Sequence, residues 1–255
     1  MTTISAKPYL LLDAGGTLVF IDQDYLSHLA GAQGFQIETH RFYEEHFRLM
    51  HWLDTHLRTQ HRFPPRLNKP YTQILFESVG MAEEVAARAA QIAKTRHEEK
   101  HLWTFTFPWI VETLERLRDE GYRMSIISNA DGRVEQELRD LGMAGYFDMV
   151  YDSEIVGTRK PEPDIFELAL KDLGLQPEEA VYVGDIFHID IWGANRAGIP
   201  GVHLDPLGLY AGWPGEHVQD LRQLPGWLRG YAEAPERYEM LPLRDFALQT
   251  ENEQP

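Results

Sequence analysis

Asp13 ends an apolar run, "PYLLLDAGGTLVF" at residues 8–20, and two glycines follow within three positions. A carboxylate at the end of a buried strand, facing a glycine turn with exposed backbone N–H groups, can attack phosphorus and carry the phosphoryl group as an aspartyl-phosphate. Alone, the pattern also describes a turn or cap residue. Its company gives it chemistry. Ser128 and Asn129, in "IISNA", stand between a strand and a helix. A hydroxyl beside helix N-terminal N–H groups suits phosphate oxygens, although such a pair also serves as a cap. Lys160, in "GTRKPEPDIF", precedes a proline and so belongs to an extended turn. Its ammonium could neutralise nucleophile and phosphate together. Asp185 and Asp190, in "YVGDIFHID", add two carboxylates. With Asp13 they make an oxygen-rich site for Mg2+; the plain alternative is a cap pair opening the next helix.

These residues need elements to place them. From about residue 105 the pattern alternates helix and strand. "FPWIVETLERLRDEG" puts Pro108 at a helix start, Ile110, Leu114 and Leu117 on one face, and Gly121 at the stop. "YRMSIIS" reads as a buried strand, "DGRVEQELRDLG" as a helix ending at Gly142, and "FDMVYDS" as a short strand. "PDIFELALKDLG" is a helix capped by Asp164 and closed by Gly174; "AVYVGD" is a strand, "DIWGANRAG" a helix and "PGVHLD" a strand. Such alternation predicts a parallel sheet covered on both faces, with ligands beyond the carboxyl ends of the strands. Asp13, Ser128 and Asp185 all fall at such ends.

Taken in chain order, Asp13 with Thr17 in "DAGGT", Ser128 in "IISNA", Lys160 in "RKPEPDIF", and Asp185 with Asp190 in "GDIFHID" resemble the haloacid dehalogenase-like superfamily of hydrolases. The resemblance covers roughly residues 9–205. It implies an α/β fold: a Rossmann-like, doubly wound parallel sheet with an inserted all-helical cap. On that reading residues 1–21 and 105–232 form the core, 22–104 the cap, and 233–255 a surface-hugging or frayed tail. No convincing strand is expected among 22–104, and hinges are expected near 19–22 and 103–107. The resemblance also implies Asp13 as nucleophile, Thr17 and Ser128 as phosphate binders beside Asn129, Lys160 as charge organiser, and Asp185 with Asp190 in a Mg2+ site.

One position departs from the pattern. Phosphatases of that superfamily usually carry Asp two residues after the nucleophile, where it protonates the leaving oxygen and then activates water. Here the residue is Gly15. In the family this position ligates Mg2+ through its carbonyl, which Gly15 keeps, so the metal site is expected to survive the loss of the acid. His188, or one of the eight histidines among the eleven that fall in the cap, could supply a proton. An acyl phosphate or activated ester would need none. The superfamily's dehalogenases also lack the second Asp, but they do without a metal and without the acidic loop seen here. Its phosphonoacetaldehyde hydrolases need a lid lysine, and Lys69, Lys94 and Lys100 are the candidates. A binding scaffold with little turnover is the remaining reading. Against it, three clustered carboxylates repel one another without a cation.

Bulk composition narrows the partners. Against 24 basic residues stand 40 acidic ones, a net charge of −16, which disfavours nucleic acid and anionic membranes but not a small phosphate ester. There is no cysteine. The leucine run before Asp13 is too short for a signal peptide, and no apolar run approaches the ~20 residues of a membrane span. A cytoplasmic monomer or homodimer is the expectation. In the cap, "RFYEEHFRLMHWLDTHLRTQHRFPPR" places Phe42, Phe47, Met50 and Leu57 on a packed side. The same stretch offers His46, Arg48, His51 and Arg62 toward a ligand.

Overall fold

The computed structural model describes residues 7–238, 240 and 241. The chain begins with β1 (Tyr9–Leu12) and then enters a second compact unit, residues 20–105. That unit holds β2 (Phe20–Ile21), α1 (Gln23–Ala32), α2 (Thr39–Gln60), α3 (Tyr71–Ser78), α4 (Glu83–Glu99) and β3 (Trp103–Phe105). Its apolar stripes meet: Leu26, Leu29, Phe42, Leu75, Phe76, Ala86, Ala89 and Ala93 form one buried cluster. Phe42, Phe47, Met50 and Leu57 are all buried. The unit is not wholly helical. β2 and β3 pair antiparallel, with Phe20 opposite Phe105. Strands of two and three residues are too short for a period-2 signal, so the sequence hides this ribbon.

The first unit resumes at residue 106 with α5 (Pro108–Asp119), β4 (Met124–Ser128), α6 (Val134–Asp140), β5 (Val150–Asp152) and α7 (Ser153–Val156). It continues through α8 (Pro163–Leu173), β6 (Ala180–Gly184), a π-helical turn (Phe187–Trp192), α9 (Gly193–Arg196), β7 (Gly201–Leu204), β8 (Glu216–Val218) and α10 (Leu224–Glu233). The six strands form a parallel sheet in the order β5-β4-β1-β6-β7-β8. Both faces are apolar. Tyr9, Leu11, Ile127, Tyr151 and Tyr182 pack with Ile165, Phe166, Ala169 and Leu170 of α8. The alternating residues Leu10, Leu12, Ile126, Val181 and Val183 are equally buried. Strands hidden on both faces carry continuous apolar runs, which is what the sequence shows.

Two details differ from the sequence reading. Asp164 lies within the first turn of α8, because Glu162 holds the cap position and Pro163 opens the helix. β8, a three-residue edge strand, has no pattern to reveal it. The described part of the C-terminal segment is held by hydrogen bonds. The Gly201 N–H donates to the Tyr238 hydroxyl (2.7 Å), and the Leu241 N–H donates to Asn195 Oδ1 (2.8 Å). Residues 242–255 of the expected tail lie outside the described residues. Among the described residues, no helix is long and apolar enough to cross a membrane.

Candidate active site

β1 is the sheet's switch point: the chain builds outward to β4 and β5 on one side, then to β6, β7 and β8 on the other. A crevice opens where neighbouring connections diverge like this. Leu12 pairs with Ile126 on one side and Val183 on the other, so Asp13 emerges level with the ends of both neighbours. The Asp13 N–H donates to Val183 O (2.8 Å), which fixes the backbone beneath the carboxylate. The turn that follows closes on Ala14 O, which accepts from Leu18 and Val19 N–H at 2.8 Å each. Its left-handed residue is Gly16, at φ 84°. Gly15 is therefore not the glycine that the turn geometry demands.

Asp13, Lys160, Asp185 and Asp190 converge. Each is at most 5% exposed. Lys160 Nζ lies 2.6 Å from Asp13 Oδ1, 2.7 Å from Asp190 Oδ1 and 2.8 Å from the Tyr182 hydroxyl. An ammonium has three N–H groups, and these three contacts use them all. Lys160 thus sets the spacing of two carboxylates and has no proton left over for a phosphate oxygen. Its backbone is clamped by the Asn129 amide, which donates to Lys160 O and accepts from Lys160 N–H, each at 2.8 Å. Both ends of the Asn129 side chain are engaged there.

One oxygen from each of Asp13, Asp185 and Asp190 can lie within 4.8 Å of the others. Three carboxylates thus cluster in a buried place, with one ammonium bound to two of them. Burial, with Asp190 and Asp185 close by, pushes Asp13 up to about 8 despite Lys160. Burial likewise raises Asp190, with Asp185 adding to it against the pull of Lys160. Burial alone would lower Lys160, but Asp13 and Asp190 hold it above the usual lysine range. The carboxylate cluster is short of positive charge. Its donors are all hard oxygens, the set that suits Mg2+. A second observation fits a phosphate beside it: the Thr17 hydroxyl is buried without a hydrogen-bond partner. Ser128 closes β4 and is 4% exposed.

His188 is buried in the π-helical turn and stacks on Trp192, with ring centroids 4.4 Å apart. In the helical unit, His46 is buried and its Nδ1 lies 2.7 Å from the Tyr71 hydroxyl. Arg48 pairs loosely with Glu45, and Arg62 is exposed. Lys69 is held by Glu77 (2.9 Å) and Glu83 (2.8 Å), which leaves it poorly suited to imine formation. Lys94 is paired with Glu98 at 3.9 Å.

Two site residues escape the sequence reading. Tyr182 reads as a strand-core residue, yet its hydroxyl accepts from Lys160 and donates to Ile127 O (3.1 Å). Burial keeps its phenol pKa well up, so it stays a neutral donor. Asp152 ends β5 as Asp13 ends β1, a signal that was available. It accepts from the N–H groups of Gly132 (3.0 Å), Glu154 (3.1 Å) and Val134 (3.4 Å), and so shapes the loop after Asn129.

Comparison with known proteins agrees with the fold. The chain is 36% identical over 132 residues to the glyceraldehyde 3-phosphate phosphatase of Methanopyrus kandleri, covering 51% of this chain and 56% of that protein. It is 34% identical over 102 residues to the phosphoglycolate phosphatase of Aquifex aeolicus, covering 40% and 47%. The chain thus spans about half the length of these curated relatives. A solved structure, a HAD phosphatase from Thermococcus onnurineus, superposes with a TM-score of 0.54 at 25% identity, covering 88% of this chain and 98% of that one. The haloacid dehalogenase-like hydrolase pattern matches residues 50–203, more than half of the sequence. By that match, the chain belongs to the haloacid dehalogenase-like hydrolases.

Proposed function

We propose that this chain is a Mg2+-dependent phosphomonoesterase acting on a small phosphorylated metabolite through an aspartyl-phosphate on Asp13. The observation that carries the reading is the buried group of Asp13, Asp185 and Asp190 around a single, fully engaged Lys160. The relatives named as phosphatases of small phosphorylated metabolites support it. Asp13, Asp185 and Asp190, with the Gly15 carbonyl, would hold the cation. When bound, Mg2+ supplies the positive charge that offsets repulsion between Asp13 and the phosphate. The Asp13 carboxylate attacks phosphorus, and the bond from phosphorus to the alcohol oxygen breaks. Water then attacks phosphorus in the aspartyl-phosphate, releasing phosphate and restoring the carboxylate. Thr17 and Ser128 offer hydroxyls to the phosphate oxygens, and Asn129 offers its main chain. Lys160 holds Asp13 in place for in-line attack.

Gly15 shapes the substrate range. It gives the departing oxygen no proton, so the favoured substrates are those whose leaving group departs unaided, such as acyl phosphates or activated esters. Hydrolysis of an aryl phosphate, with Mg2+ and then with EDTA, tests the reading. Turnover with Mg2+ that EDTA abolishes supports it. Turnover indifferent to EDTA contradicts it.

Two further outcomes follow from the site. A Cβ on Gly184 would lie 2.4 Å from Asp190 Cγ and 2.6 Å from Asp190 Oδ2. No rotamer change of alanine relieves that, so Gly184→Ala must displace Asp190. It should weaken Mg2+ by about 10–100-fold, as read by titration calorimetry. The second concerns pH. An unfolded Asp loses its proton near 3.8, whereas Asp13 in the fold keeps it to about 8. Between those values the folded state binds more protons, so this group's contribution to stability falls as pH rises. Mg2+ needs the carboxylate form. The rise in melting temperature on adding Mg2+ should therefore grow from about pH 5 to about pH 8 and then level off. A rise that is the same throughout would contradict the assignment.

A further inference from the structure

The loop from Asp185 to Asp190 is closed on itself by two hydrogen bonds. The Asp190 N–H donates to Ile186 O (2.8 Å), and the Ile186 N–H donates to Asp190 Oδ2 (2.9 Å). The fastening of Asp185 itself comes from behind, from β7. In the sheet register His203 lies beside Gly184, one residue before Asp185. Its ring is fully buried, and Nε2 is 3.0 Å from the Asp185 carbonyl oxygen. A carbonyl can only accept, so Nε2 carries the proton. His203 Nδ1 lies 3.0 Å from His217 Nδ1, on the neighbouring strand β8, where the two histidines are registered opposite one another. Of the two Nδ1 atoms in this contact, one donates and the other accepts. Phe187 and Tyr210 wall the ring edge-on, with centroids 5.6 Å and 4.2 Å away. A ring with both nitrogens engaged and aromatic walls has one orientation.

We propose that His203 is a positioning residue: its Nε2–H, oriented by His217, holds the Asp185 carbonyl and thereby aims the Asp185 carboxylate into the cation site. The inference rests on the Mg2+ reading above. Its physics is that of outer hydrogen bonds that orient metal ligands, whose loss weakens metal binding by about 10–100-fold. The helical sequence after Gly184 suggests nothing of it, because His203 reads as one residue in a short buried strand.

The experiment is Mg2+ titration into metal-free protein, followed by calorimetry and by melting temperature, with no substrate present. His203→Phe keeps a ring but loses the donor. His203→Gln keeps a donor at similar reach, and His203→Asn has a donor that falls short. His203→Phe and His203→Asn should bind Mg2+ about 10–100-fold more weakly than wild type, and His203→Gln should recover most of the loss. The KM for an aryl phosphate at saturating Mg2+ should stay unchanged in all three. If His203→Phe does not fold, the Asn and Gln pair carries the test. Wild-type Mg2+ affinity in a folded Phe or Asn variant overturns the proposal, as does a Gln variant no better than Asn. Asp185→Asn in the same titration separates the two levels. If wild type binds no Mg2+, or Asp185→Asn binds it as wild type does, the cation reading falls and takes this proposal with it. If Asp185→Asn loses the metal and the His203 variants keep it, only the positioning role falls.

Discussion

Asp13→Asn is expected to lower Mg2+-dependent phosphatase turnover by about 10^4-fold or more, the scale on which removal of a nucleophile is felt. The substitution is nearly isosteric, so the loss should come without unfolding. Stability should move the other way. Asp13 is buried beside two other carboxylates, and its carboxyl is pushed up to about 8. The fold thus favours a neutral group at that position near neutral pH. Asn provides one, while Lys160 keeps its bond to Asp190 at 2.7 Å and to Tyr182 at 2.8 Å. Metal-free Asp13→Asn should therefore melt no lower than metal-free wild type, by calorimetry in EDTA. A variant that lost activity because it had lost its fold would melt lower, and that result would remove Asp13's claim to a chemical role.

Gly15→Asp is the second large effect, and it runs in the direction of gain. The turn's positive φ belongs to Gly16, at 84°, so an aspartate at position 15 meets none of the backbone cost that glycine would otherwise relieve. It would restore a proton donor and acceptor two residues from Asp13. General acid–base help is worth about 10^2–10^4-fold, and most where the leaving group is poor. The expected result is a rise of that order in kcat/KM for an alkyl phosphate and little change for an activated aryl phosphate. The ratio of the two substrates in wild type and variant is the readout. An unchanged ratio would mean that the wild-type protein draws its proton from another group.

The strand ends were legible because parallel strands buried on both faces read as unbroken apolar runs, and a carboxylate terminating such a run stands out. That exposed Asp13 and Asp185, and with them the switch-point crevice. What the sequence could not show was which side chains hold the charged ones in place. Tyr182 looks like any other strand aromatic until the fold puts its hydroxyl on Lys160. The Asn129 clamp on Lys160 depends on two loops 31 residues apart meeting. His203 sits in a strand the sequence does show, but His217 lies on one too short to announce itself, and their contact exists only through sheet register. The ribbon of β2 and β3 was hidden for the same reason. Local pattern marked the strand-end carboxylates; long-range pairing placed their supports.

The claim on which the rest depends is that Asp13 carries the phosphoryl group. The measurement that meets it most directly is acid quench of the wild-type protein during turnover of an aryl phosphate with Mg2+, followed by peptide mapping by mass spectrometry. A phosphoryl group on the peptide containing Asp13, present with Mg2+ and absent both in EDTA and in Asp13→Asn, is the predicted result. A protein that turns over under the same conditions with no phosphoryl group on that peptide, or with the group on a different residue, contradicts the account.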